Sequence, residues 1–122
     1  MKFTYEHNNI NVLDLEKSLK FYAKALNMHE DSRIVPEDGA FIIVYLKPEI
    51  GNNLVELTWL RDKTEPYNLG DNEFHMAFRV DDLDNAKKLH QDMDVIVFEN
   101  PEMGIYFIAD PDGYWIEICP PK

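Results

Sequence analysis

The chain contains an internal repeat, which constrains its fold more than any other feature. Residues 7–18 (H-N-N-I-N-V-L-D-L-E-K-S) and 75–86 (H-M-A-F-R-V-D-D-L-D-N-A) align on their first residues, both histidines, at an offset of 75 − 7 = 68. A second match aligns Glu56 in L-V-E-L with Glu117 in W-I-E-I, at an offset of 117 − 56 = 61. Because each copy leaves one apolar face to bury, we expect two similar modules that do not stand alone.

Both copies predict the same order of secondary structure. Residues 5–12 and 74–80 alternate as strands do, and Asp14 and Asp82 are good N-cap residues for the apolar helical patterns that follow them. Further strands are expected at 28–35, 40–47, 54–60, 95–98, 105–109 and 114–119. Each half therefore reads β-α-β-β-β, which predicts an α+β fold of two βαβββ modules.

At 122 residues the chain has the length of one domain. We expect a single domain over 1–122, with module one at 1–60, a polar linker at 61–72 and module two at 73–122. The net charge of −11 argues against nucleic acid or an anionic membrane as partner, since both require clustered cations. No apolar run of spanning length and no signal-like N-terminus occur, and Cys119 is the only cysteine, so we expect a cytoplasmic protein without an intrachain disulfide.

The repeated polar residues suggest a metal site. A pseudo-twofold relation between the modules would bring two imidazoles and two carboxylates together: His7, Glu56, His75 and Glu117. Such a set of two nitrogen and two oxygen ligands suits Ni²⁺, Co²⁺, Zn²⁺ or Mn²⁺. Each glutamate also interrupts an apolar strand, where a carboxylate needs a partner, and a metal ion would serve.

The same patterns predict the positions of several other residues. The histidines without this symmetry, His29 and His90, are expected at the surface. Cys119 is expected to be a small filler residue that faces the site. Asn11 and Arg79 follow the repeated histidines on the same strand faces and are candidate substrate-binding residues, with Arg79 the better anchor for an anionic group. Four aromatic residues are expected in the core or along an apolar pocket: Phe41, Trp59, Tyr106 and Trp115.

At these residues the chain resembles the vicinal oxygen chelate (glyoxalase/bleomycin resistance/dioxygenase) superfamily, and within it bacterial glyoxalase I (lactoylglutathione lyase). The resemblance covers nearly the whole chain. It rests on H-x-x-I-x-V-x-D-L-E-K-S-L-K-F-Y at 7–22, V-E-L-T at 55–58, F-H-M-A-F-x-V-D-D at 74–82 and D-P-D-G-Y-x-I-E-I at 110–118. It implies a curved mixed sheet around a metal-binding cleft, with Ni²⁺ as the first choice and Co²⁺ or Zn²⁺ as alternatives. It also implies a homodimer whose four ligands come from one chain or from two.

The resemblance implies an activity on a small-molecule substrate. A hemithioacetal of methylglyoxal and a thiol would be isomerised to an S-2-hydroxyacyl thioester. By position, Glu117 would be the principal base that removes the carbon-bound proton, and Glu56 would be its counterpart across the metal.

Two positions depart from the pattern of glutathione-dependent relatives, which usually carry Arg where Asn11 stands and Asn where Leu60 stands. The thiol is therefore left open, and the predicted substrate-binding set is Asn11, Arg79, Leu60 and Trp59. Two alternatives remain. One is another metalloenzyme of the superfamily, an epimerase, dioxygenase or thiol transferase. The other is a metal-free small-molecule-binding resistance protein, although such proteins typically lose the ligands that this chain keeps.

Overall fold

The computed structural model describes all residues of the chain, 1–122, and contains two successive sets of one helix and four strands. The first set is β1 (His7–Asn11), α1 (Leu15–Leu26), β2 (His29–Ile34), β3 (Phe41–Lys47) and β4 (Leu54–Leu60). The second set is β5 (His75–Arg79), α2 (Leu83–Asp92), β6 (Ile96–Asn100), β7 (Ile105–Ala109) and β8 (Trp115–Cys119). The predicted pair of βαβββ modules is confirmed.

The chain divides into two units, residues 1–67 and 68–122, and the boundary lies within the segment predicted as a linker. The assignment of both units to one domain stays a prediction. Neither α1, with 12 residues, nor α2, with 10, is long and apolar enough to cross a membrane.

Each unit has its own four-stranded mixed sheet. The strand order is β1-β4-β3-β2 in the first unit and β5-β8-β7-β6 in the second. In each sheet the first strand runs parallel to the last strand of the unit, and the other neighbours are antiparallel. The parallel pair arises because a helix separates the first strand from the rest, which allows the chain to return in the same direction.

Both helices begin at the predicted caps. The side chain of Asp14 accepts a hydrogen bond from the backbone N–H of Lys17 at 3.1 Å, and that of Asp82 accepts one from the backbone N–H of Asn85 at 3.1 Å. Each carboxylate thereby satisfies an amide that has no partner within the helix. Helix α2 ends at Asp92, one residue before Met93, the last position of the predicted apolar pattern.

The core of each unit lies between its helix and one face of its sheet. In the first unit Val12, Tyr22, Met28, Val44 and Leu57 are at most 2% exposed, and in the second Ile108, Ile116 and Ile118 are at most 1% exposed. Those that lie in strands alternate with more exposed neighbours, which leaves the opposite face of each sheet for polar side chains.

The expectation that His90 lies at the surface is wrong. His90 is only 1% exposed, and its Nδ1 atom lies 2.7 Å from the Tyr106 hydroxyl. It stands seven residues after Leu83 and four after Ala86, so it belongs to the apolar face of α2. The hydrogen bond to Tyr106 compensates for burial of the imidazole.

The predicted tight turn before the last strand is confirmed. One carboxylate oxygen of the buried Asp110 accepts hydrogen bonds from the amides of Asp112 and Tyr114, both at 2.9 Å. Gly113 has a φ of 92°, a conformation that residues with a Cβ rarely adopt. The turn delivers the chain into β8, the strand that carries Glu117.

Candidate functional site

In the first unit, the parallel pairing of β1 and β4 brings His7 to Glu56. Leu54 is the register partner of His7, so Glu56 stands two residues further along β4, on the same face of the sheet. The Nε2 atom of His7 lies 3.4 Å from Oε2 of Glu56, and the two side chains are 28% and 15% exposed. A candidate nitrogen ligand and a candidate oxygen ligand are therefore adjacent on a partly solvent-accessible face.

The second unit repeats this arrangement with His75 and Glu117. Trp115 is the register partner of His75, and Glu117 again follows two residues later. Nε2 of His75 lies 3.0 Å from Oε1 of Glu117. The two predicted His–Glu pairs thus form by the same register in two different sheets.

Further groups surround the His7–Glu56 pair. The hydroxyl of Tyr45, the register partner of Glu56 on β3, donates a hydrogen bond to the Glu56 carboxylate, which raises the pKa of Tyr45. The Asn9 amide, with its nitrogen turned toward Glu56, donates to Oε1 at 2.9 Å. On the other side of the imidazole, Nδ1 of His7 lies 2.6 Å from the Glu6 carboxylate. Such a contact favours the tautomer that leaves Nε2 able to bind a metal.

The surroundings of His75 and Glu117 are more apolar. Phe107 contacts His75 edge to face, with ring centroids 5.1 Å apart, and Phe107 in turn lies 5.4 Å from Trp115. The Cys119 thiol donates a hydrogen bond to Oε2 of Glu117 at 3.1 Å. Burial and this hydrogen bond raise the pKa of Cys119 to about 11, so the thiol is protonated at neutral pH and acts as a weak donor.

Of the four predicted substrate-binding residues, three lie on the same strand face as a His–Glu pair and one lies on the opposite face. Arg79 lies on the strand face of His75, where its Nη1 atom donates to the Pro120 carbonyl at 2.9 Å. Asn11 lies on β1 two residues after Asn9, on the same face of the strand. Both positions share a face with a His–Glu pair, which supports a role near substrate.

The remaining two predicted substrate residues are on β4. Leu60 is four residues after Glu56, shares its face by strand alternation, and is 37% exposed. Trp59 leaves the strand on the opposite face, which it shares with the buried Leu57. This placement favours packing for Trp59, and its role in substrate binding stays a prediction.

Sequence reasoning missed four residues that contact the two His–Glu pairs: Glu6, Asn9, Tyr45 and Phe107. Glu6 directly precedes a candidate ligand and Asn9 lies two residues beyond it, so strand alternation alone was a usable signal for Asn9. Tyr45 and Phe107 come from a neighbouring strand, and only the register of the β3–β4 and β7–β8 hairpins reveals them.

The donor atoms fit a first-row divalent ion in kind, because each unit presents one imidazole nitrogen and one carboxylate oxygen within 3.4 Å of each other. No group of three or more His, Cys, Asp or Glu side chains is placed to hold a metal ion. The structure therefore brings the predicted ligands together as pairs, and the fourfold set stays a prediction.

Comparison with known proteins agrees with this repeated geometry. Residues 4–118 match the model of the Glyoxalase/Bleomycin resistance protein/Dioxygenase superfamily. The chain is 35% identical to a lactoylglutathione lyase of Neisseria meningitidis serogroup A, over 95% of this chain and 89% of that protein. It is 34% identical to a lactoylglutathione lyase of Escherichia coli O157:H7, over 95% of this chain and 91% of that protein.

A solved structure shows the same relationship. The trypanothione-dependent glyoxalase I of Leishmania major is 30% identical and superposes with a TM-score of 0.86, covering 98% of this chain and 87% of that one. Family match, sequence relatives and fold agree over nearly the whole length, as the resemblance of the motifs predicted. The chain belongs to the Glyoxalase/Bleomycin resistance protein/Dioxygenase superfamily.

Proposed function

We propose that this chain is a metal-dependent enzyme of the glyoxalase I type, a lactoylglutathione lyase that isomerises the hemithioacetal of methylglyoxal and a thiol to an S-2-hydroxyacyl thioester. The observation that carries the proposal is the same His–Glu pair in both units, at 3.4 Å in one and 3.0 Å in the other. The relatives named lactoylglutathione lyase, at 34–35% identity over 95% of the chain, support the same activity.

The proposed metal ligands are His7, Glu56, His75 and Glu117, contributed by one chain or by the two chains of a homodimer. Two carboxylates balance the charge of a divalent ion, for which we propose Ni²⁺ first and Co²⁺ or Zn²⁺ as alternatives. When bound, the ion would supply a positive charge that stabilises negative charge developing on the substrate oxygens. Glu6, beside Nδ1 of His7, would orient that imidazole.

The chain's own residues would move one proton. Glu117 takes the proton from the carbon that bears sulfur, and the electron pair of that C–H bond shifts toward the neighbouring carbonyl carbon. Glu117 then returns the proton to that neighbouring carbon. The hydroxyl proton of the carbon that bears sulfur passes to the oxygen of the former ketone. The carbon that bears sulfur thereby becomes the thioester carbonyl and the former ketone becomes a secondary alcohol, so the reaction needs no oxidant or reductant.

The substrate pocket is proposed from the residues around the pairs. Arg79, on the strand face of His75, would bind an anionic group of the thiol through guanidinium donors other than the Nη1 group that contacts the Pro120 carbonyl. Asn11 and Leu60 flank the other pair, and their difference from glutathione-dependent relatives leaves the thiol to experiment. Trp59 completes the predicted substrate-binding set. We also propose that the protein is cytoplasmic, where small thiols and reduced cysteines are kept.

The test is an assay of metal-loaded protein. The purified chain is loaded with Ni²⁺, Co²⁺ or Zn²⁺, its metal content is measured, and thioester formation from methylglyoxal is followed with several thiols. We expect stoichiometric metal and thioester formation with at least one thiol. Loaded protein that forms no thioester with any thiol would exclude this activity, and protein that binds no metal would favour a metal-free binding function instead.

A further inference from the structure

The two carboxylates of the candidate site have different neighbours across their sheets. In the first unit, Glu56 lies between Asn9 on β1 and Tyr45 on β3, its register partners on either side. Both partners hydrogen-bond to it: the Tyr45 hydroxyl donates to the carboxylate, and the Asn9 amide, with its nitrogen turned toward Glu56, donates to Oε1 at 2.9 Å. Glu56 is thus held from both sides of its own strand.

The corresponding positions in the second unit carry no hydrogen-bond donor on their side chains. Glu117 lies between Ala77 on β5 and Phe107 on β7. Its side-chain contacts come instead from His75 at 3.0 Å and from the thiol of Cys119 at 3.1 Å. A thiol is a weak donor, so besides the histidine of its own pair Glu117 has one weak hydrogen-bond donor, whereas Glu56 has the Tyr45 hydroxyl and the Asn9 amide.

The difference matters for proton transfer. Hydrogen bonds to a carboxylate are among the stronger ones in proteins, and two of them from opposite sides fix the direction in which its oxygens point. A fixed carboxylate suits a permanent metal ligand, because second-shell donors orient ligands and increase metal affinity. A base must instead reach the proton it removes and then the carbon to which it returns it.

We propose that Tyr45 is a positioning residue: its hydroxyl holds Glu56 in place as a fixed metal ligand, which leaves proton transfer to Glu117. Asn9 restrains the same carboxylate from the opposite strand. This inference rests on the proposed isomerase function and adds a physical reason why two equivalent glutamates have different roles. The side chain of Tyr45 also contacts His7 edge to face, with ring centroids 5.4 Å apart, so it touches both ligands of its unit.

The repeat provides matched variants. Tyr45→Phe removes only the hydroxyl and keeps a ring against the histidine, as Phe107 already does against His75 at 5.1 Å. Phe107→Tyr is the reciprocal change, because it adds a hydroxyl opposite Glu117. Asn9→Ala removes the other donor and reproduces the Ala77 position of the second unit. Circular dichroism and thermal unfolding show whether each variant folds.

The readouts are metal affinity, kcat and KM at saturating metal, and the chemical shift of the carboxyl carbon of Glu56 in metal-free protein labelled with ¹³C-glutamate. We expect Tyr45→Phe to change that shift and to raise the Kd for Co²⁺ about tenfold, the low end of second-shell effects. Phe107→Tyr should lower kcat about tenfold without raising the Kd for Co²⁺. Asn9→Ala should resemble Tyr45→Phe, so the proposal remains testable if one of them fails to fold.

The outcomes separate this inference from the isomerase activity. If wild-type protein forms thioester while Tyr45→Phe and Asn9→Ala leave the Kd and the carboxyl shift unchanged, the positioning role is overturned and the isomerase stands. If wild-type protein binds Co²⁺ but forms no thioester, the isomerase fails, and the raised Kd of Tyr45→Phe still supports the positioning of Glu56. A larger loss of kcat for Glu56→Gln than for Glu117→Gln at saturating metal would overturn the division of roles.

Discussion

The Nε2 atom of His75 lies 3.0 Å from Oε1 of Glu117 on the neighbouring parallel strand. Glu117 stands two residues beyond Trp115, the register partner of His75. His7 and Glu56 have the same relationship in the other sheet: Glu56 stands two residues beyond Leu54, the register partner of His7. Because the offset follows from the register of the parallel pair, it is built into the backbone of each module. The histidine and the glutamate of each pair are therefore brought together by strand pairing alone, without a loop.

Replacement of the proposed base should separate binding from turnover. Glu117→Gln keeps an oxygen donor but cannot accept the substrate proton, so we expect kcat to fall by about 100-fold or more at saturating metal. Metal binding should largely remain. The measurement is kcat together with metal content, and Glu56→Gln is the matched control. Undiminished turnover of Glu117→Gln would show that another group is the base.

The contact between Glu6 and His7 predicts an effect on metal affinity. Glu6→Gln removes the charged acceptor that lies 2.6 Å from Nδ1 of His7, and we expect the Kd for Ni²⁺ or Co²⁺ to rise about tenfold. Loss of an outer-shell partner typically weakens metal binding about 10- to 100-fold. Because Glu6 is largely exposed, we expect an effect near the lower end. Glu102→Gln, an equal change of charge at an exposed turn, is the control and should leave the Kd unchanged. Equal affinities for both variants would exclude an orienting role for Glu6.

The position of Arg79 predicts selectivity for charged thiols. Arg79→Gln should raise the KM for hemithioacetals of anionic thiols about tenfold, because a charged hydrogen-bond donor is lost. The KM for hemithioacetals of neutral thiols should change little. Arg61→Gln, in an exposed Arg–Asp pair of the linker, serves as control. A uniform rise of KM for charged and neutral thiols would indicate a structural role for Arg79 through its bond to the Pro120 carbonyl.

The buried contact between His90 and Tyr106 predicts how stability depends on alkaline pH. Burial raises the pKa of Tyr106 from 10.0 to about 12. The unfolded chain therefore loses this proton first, so the stability contributed by the neutral phenol is complete below pH 10 and is lost as pH rises toward about 12.

Removing the hydroxyl should weaken this dependence. Tyr106→Phe leaves the buried His90 imidazole without its 2.7 Å contact, so we expect a loss of about 1 to 3 kcal/mol in the free energy of unfolding at neutral pH. The fall in stability above pH 10 should also be shallower than in wild type. Urea unfolding at several pH values measures both effects, with the exposed Tyr5→Phe as control. An unchanged alkaline profile would show that Tyr106 does not govern it.

Local patterns were sufficient to predict much of the fold. The caps at Asp14 and Asp82, the turn before β8 and the alternating strands all depend on residues close together in the chain, and the structure contains each of them. His90 has no counterpart in the repeat and was therefore expected at the surface, but its position on the apolar face of α2 buries it. Burial depends on the helix face and on Tyr106, 16 residues further on.

The sequence by itself determined the repeat, the two βαβββ modules, the family resemblance and the identity of the candidate ligands. Only the tertiary structure decided what surrounds each ligand. Tyr45 lies 56 − 45 = 11 residues before Glu56, whereas Phe107 lies 117 − 107 = 10 residues before Glu117, because the hairpin connections differ in length. Pairing between strands sets this register, and the register places a tyrosine hydroxyl beside one carboxylate and a phenyl ring beside the other.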